Sequence, residues 1–114
     1  MTRIVAMLLL TCLLAGCKAL PPPTPLAELN LQQIEGHAVY QAKCAACHAD
    51  RTNRSLRGPA LRGIFKQQYL PSGAPANDER VTATIEHGRN TMPALGSSID
   101  AADLDALLAY LHTL

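Results

Sequence analysis

The sequence predicts an all-α fold of three to four short helices, and three observations carry that expectation. The closing segment places Leu104, Leu107, Leu108 and Leu111 at i, i+3, i+4 and i+7 spacing behind an N-cap at Asp100, which is the stripe of an amphipathic helix. A second helix is framed by Asp78 as N-cap and Gly88 as stop, with Val81 and Ile85 one turn apart between them. No stretch alternates β-branched and polar residues as a half-buried strand would.

The elements follow in order from the N-terminus. Met1-Thr2-Arg3 supplies a positive charge, and Ile4 to Ala15 is an apolar run of signal-peptide length. That run is too short for a membrane-spanning helix, which needs about 20 residues. It ends in Leu14-Ala15-Gly16-Cys17, which resembles the lipobox of bacterial lipoproteins. The resemblance implies that residues 1–16 are a signal peptide cut before Cys17, and that Cys17 carries the lipid; the plainer alternative is an ordinary cleavable signal peptide. Several acyl chains on one residue satisfy the two-signal requirement for stable anchoring. The expected location is therefore the bacterial cell envelope, lipid-anchored to a membrane and facing the periplasm. Residues 17–32 then read as a tether, with four prolines among positions 21–25. As an extended spacer rising about 3.1 Å per residue, it would reach roughly 30–45 Å from the lipid; a leader with no length requirement is the alternative.

Residues 33–114 should form the single folded domain. The chain has one Phe, no Trp and three Tyr, a thin supply for a core of this size. Small domains often compensate with disulfides, metals or oligomerisation. A first helix is expected over Glu35 to Ala49, carrying Tyr40, Cys44 and His48 at helical spacing. It contains Cys44-Ala45-Ala46-Cys47-His48, the C-x-x-C-H run that attaches c-type haem. On a helix, positions i+3 and i+4 share a face with i, so two thiols can add to the vinyl groups of one haem while the imidazole reaches the iron. A dithiol redox motif would need a βαβ context. Zinc would need a second ligand pair at finger-like spacing, and only the scattered His37, His87 and His112 remain. Of the four cysteines, Cys12 lies in the apolar run and Cys17 ends it, so no pair is left for a structural disulfide.

With these residues in view, residues 33–114 resemble a class I c-type cytochrome. Gly36, Tyr40 and Cys44 repeat the family's small–aromatic–Cys spacing, and Leu107, Tyr110 and Leu111 match the last-helix positions that pack against it. The resemblance implies the cytochrome c fold, short helices packed around one covalently bound haem c, with the glycine allowing the terminal helices to approach closely. It makes Cys44 and Cys47 the thioether positions and His48 the first axial ligand of the iron. Gly88-Arg89-Asn90-Thr91-Met92-Pro93-Ala94 is similar to the loop that carries the axial methionine. Met92 is the only methionine beyond the signal segment, and Pro93 biases it to extended backbone. His87 and His112 are the rival second ligands. Leu56 to Leu61 resembles the segment whose proline carbonyl, here that of Pro59, accepts the N–H of the haem histidine. Tyr69 and Arg89 are candidates for hydrogen bonds to the haem propionates.

The formal net charge of +1 gives no indication of nucleic acid. Arg51, Arg54, Arg57, Arg62 and Lys66 nevertheless form a run with no acid among them, suited to steering the chain toward an acidic redox protein. A haem with His on one side and Met on the other has no open position and a raised potential. The expected function is thus single-electron transfer between respiratory or dehydrogenase partners rather than enzymatic catalysis. Two rivals stay open: a fixed haem c subunit of a dehydrogenase or oxidase complex, and a gas- or peroxide-binding protein in which Met92 does not ligate iron.

Overall fold

In the computed structural model the described residues are Gly16 and 19–114; residues 1–15 of the expected signal peptide and Cys17, the expected lipidation position, lie outside them. A 3₁₀ turn at Leu26–Glu28 is followed by α1 (Leu31–Lys43), α2 (Asp78–His87) and α3 (Ala101–Leu111). Extended pairing among the described residues is confined to two isolated bridges, Tyr69 with Pro75 and Arg89 with Met92. No helix among the described residues is long and apolar enough to cross a membrane.

α1 begins four residues earlier than Glu35 because Asn30 and Gln33 close a reciprocal capping box. Asn30 Oδ1 accepts from Gln33 N at 2.9 Å, and Gln33 Oε1 accepts from Asn30 N at 3.0 Å. It also ends earlier, at Lys43 rather than Ala49. Cys44 sits at φ −120°, ψ −33°, outside the helical well, and the chain continues in turns. α2 is capped by Asn77, whose Oδ1 accepts from Arg80 N at 2.9 Å, not by Asp78. Asp78 and Glu79 instead occupy the first turn, where the helix dipole favours negative charge. Gly88 ends α2 at φ +73°, and Asp100 caps α3 through a 2.8 Å bond from Asp103 N, both as the sequence predicts.

The core is built where α1 packs on α3. Gly36 is buried in that contact, and a Cβ there would stand 1.8 Å from the Ala106 carbonyl oxygen. The Tyr40 and Tyr110 rings pack tilted with centroids 5.8 Å apart. Leu107 and Tyr110 are wholly buried, and the apolar cluster continues through Leu61, Leu70, Val81, Ile85 and Ile99.

The proline-rich segment is not a free spacer. Thr24 N donates to Thr113 O at 2.8 Å, and Thr24 O accepts from Arg51 Nη2 at 2.7 Å. Leu20 lies over Gly63, where an added Cβ would come within 2.8 Å of Leu20 Cδ1. Leu29 belongs to the core. The packed unit therefore starts near Leu20, not at residue 33.

Candidate haem site

The C-x-x-C-H run forms a tight coil beyond the end of α1. Cys44 N and Ala45 N both donate to Tyr40 O, at 2.8 and 3.0 Å; Cys47 N and His48 N both donate to Cys44 O, at 3.0 and 2.9 Å. The bond to His48 keeps the helical i to i+4 backbone relation although the regular helix has stopped. Both thiols are free and half-buried. Burial, with Cys47 adding to it, pushes the Cys44 thiol up to about 11. A redox dithiol needs the opposite shift, toward thiolate at neutral pH.

His48 is held by the loop that returns from Arg51. Its Nδ1 lies 2.8 Å from Pro59 O. A carbonyl can only accept, so Nδ1 carries the proton and Nε2 keeps its lone pair for a metal. Gly58 lies flat on the imidazole: a Cβ there would approach Cε1 to 2.3 Å and Nδ1 to 2.7 Å. The same loop is stitched to the motif by Gly58 N to Cys47 O and Leu61 N to Ala49 O, both at 2.8 Å. From the other side, Tyr40 OH donates to His48 O at 2.7 Å and Tyr110 OH to Asp50 Oδ2 at 2.5 Å. Burial first, then the Asp50 carboxylate, pushes the Tyr40 phenol up to about 12. Tyr110 is raised by burial and by its bond to Asp50. Both therefore remain donors at physiological pH.

Met92 is carried by a loop folded back on α2. Arg89 and Met92 exchange backbone bonds of 3.1 and 2.9 Å, and Leu95 N donates to Ile85 O at 2.9 Å. Asn90 takes φ +52° at the loop tip. At Gly88 a Cβ would stand 2.5 Å from Met92 O and 2.8 Å from Ala94 N, so this glycine serves both the helix stop and the close return of the methionine segment. Met92 itself is partly buried and packs on the core. Two thiols, an imidazole with Nε2 available, and one thioether, with Ile64, Phe65 and Leu95 among the partly buried apolar residues on the core, form a donor set that fits haem c.

The remaining expected residues sit as follows. Pro59 makes the contact expected of it. Tyr69 is 54% exposed, and Arg89 is exposed with its backbone bridged to Met92. His87 is exposed at the end of α2. His112 Nε2 is engaged by Asp78 Oδ1 at 2.6 Å, and its ring stacks on Phe65 with centroids 3.9 Å apart. Among the described residues no three His, Cys, Asp or Glu side chains gather as metal ligands. The basic run divides: Arg54, Arg57 and Lys66 are exposed, whereas Arg51 and Arg62 are partly buried, with Arg51 Nη1 and Arg62 Nε shielded from solvent. The support given by Gly58 and by the two phenols was not anticipated from sequence; the glycine before Pro59 was the available signal.

Comparison with known proteins agrees with this geometry. The family model described as cytochrome c oxidase, cbb3-type, subunit III matches residues 32–111. Cytochrome c6 of Tetradesmus obliquus is 34% identical over 77 residues, covering 68% of this chain and 84% of that protein. Cytochrome c6 of Chlorolobion braunii is 32% identical over 77 residues with the same coverage. The solved structure of cytochrome c6 from the diatom Phaeodactylum tricornutum superposes with a TM-score of 0.55 at 27% identity, covering 69% of this chain and 88% of that one. The chain belongs to the class I c-type cytochromes, electron-transfer proteins rather than enzymes, each domain holding one covalent haem c.

Proposed function

We propose that this cytochrome is a membrane-anchored, periplasm-facing carrier of single electrons, with haem held by Cys44 and Cys47 and ligated by His48 and Met92. The observation that carries the reading is the imidazole fixed by Pro59 with Nε2 left free, in a chain whose one methionine beyond residue 16 is held in its own structured loop. Bound haem supplies the one-electron iron couple. Cys44 and Cys47 would hold the haem. His48, oriented by its bond to Pro59, and Met92 would ligate its iron, and this ligand pair would raise the potential. Tyr69 and Arg89 are the candidate partners of the propionates.

Changing both Cys44 and Cys47 to Ala is expected to leave a chain from which acid–organic extraction removes all haem, whereas the wild type retains it through denaturation. A stably folded, zinc-binding protein lacking haem would refute the assignment. Anchoring rests on Leu14-Ala15-Gly16-Cys17. Cys17→Ser is expected to block lipid addition and leave a longer precursor, detected by mass and by fractionation. Normally sized mature protein free of membranes would rule the anchor out.

Exposed Arg54, Arg57 and Lys66 suit steering toward an acidic redox protein, in an encounter that weakens as salt screens it. The matching family model, described as an oxidase subunit, favours a second reading in which the chain is a fixed electron-entry subunit. Purification of the native complex from membranes separates the two.

A further inference from the structure

We propose that residues 20–29 are a strap that holds the haem domain directly against the lipid bilayer, with the face on which the strap lies, over Gly63 and Thr113, turned toward the headgroups. The proposal rests on the anchoring of Cys17. Positions 21–25 contain a single residue with a backbone N–H, Thr24, because the other four are proline. That one donor is the one used, bonding Thr113 O at 2.8 Å. Its carbonyl is used as well, accepting from Arg51 at 2.7 Å. Leu20 on Gly63 and Leu29 in the core secure the two ends. The prolines restrict the unfolded chain, so less conformational entropy is lost when the strap docks.

The consequence is a matter of length. Only Lys18 and Ala19 separate Cys17 from Leu20, a span of about 10 Å at full extension. A free 16-residue spacer would instead let the domain roam several times farther. Lipid chains on Cys17 lie in the bilayer, which makes the membrane the occupant of the face beside Leu20. The haem domain then meets partners of the same membrane by lateral diffusion and in a restricted set of orientations.

The test uses the full-length lipidated holoprotein in phosphatidylethanolamine/phosphatidylglycerol vesicles with a headgroup fluorophore, which haem quenches by distance-dependent energy transfer. Inserting 12 Gly/Ser residues between Lys18 and Ala19 lies outside the packed unit and adds about 20 Å of r.m.s. reach, so quenching should fall about three-fold. Leu20→Ser with Thr24→Pro should release the strap and also lower quenching, with the haem spectrum unchanged. Equal quenching in wild type and insertion variant, compared at the same density of haem per lipid, overturns the strap. Vesicle flotation separates the two levels. A wild type that does not float refutes the anchor and the strap's role together, whereas one that floats but ignores the insertion refutes the strap alone.

Discussion

Replacing Met92 with Ala is expected to turn a closed haem protein into one that binds carbon monoxide when reduced, with a potential lowered by on the order of 100 mV, well inside the ~0.8 V over which axial ligands set haem potentials. The loop that carries Met92 is held by backbone bonds between Arg89 and Met92 and between Leu95 and Ile85. None of these depends on the thioether, so the loop should persist while the ligand is lost. Met92 is only partly buried, and the stability cost should lie near the lower end of the ~2–5 kcal/mol seen for Met→Ala in cores. The oxidised protein should lose its sulfur–iron charge-transfer band at the same time. Ready carbon monoxide binding by the wild type would defeat the carrier reading and favour the gas- or peroxide-binding rival.

Gly36→Ala is expected to destabilise the domain by about 3 kcal/mol, at the upper end of ordinary overpacking. Two effects oppose one another. Alanine is the better helix former by roughly 1 kcal/mol, which would stabilise α1 in isolation. The added Cβ, however, would sit 1.8 Å from the Ala106 carbonyl oxygen and 2.8 Å from Tyr110 Cβ, and backbone cannot rotate away as a side chain can. Separation of α1 from α3 must follow, and with it loosening of the Tyr40–Tyr110 contact. For a domain of this size the loss corresponds to a fall of roughly 10–20 °C in Tm, read by thermal melts of the holoprotein. An unchanged Tm would show that the helices approach less closely than this.

The parts of the site that were legible in sequence are those whose chemistry is local. Cys44, Cys47 and His48 must be near neighbours to reach one haem. Pro93 after Met92 and the cap at Asp100 act on adjacent residues. The close approach at Gly36 was legible only through its family resemblance, since its contact, Ala106, is far away in the chain. What escaped reading depended on distant partners. Thr24 bonds Thr113 and Arg51, and the proline-rich composition, read as a spacer, did not reveal what the segment lies on. Tyr110 reaches Asp50 across 60 positions. The early end of α1 at Lys43 has no Gly or Pro to mark it. There the chain turns to meet the loop at Gly58 and Pro59, a decision made by tertiary contacts.

The anchoring of His48 bears on the speed of the electron step itself. Transfer is slowed by every nucleus that must shift as the charge on the site changes, and a preorganised environment removes that reorganisation in advance. The imidazole is gripped by the Pro59 carbonyl on its edge and by Gly58 on its face, and its own carbonyl is tied to Tyr40. Were His48 to ligate the iron, these contacts would hold its ring in one orientation through a change of oxidation state. Tyr40, which also packs on Tyr110 in the helix contact that builds the core, would then help keep the reorganisation energy low.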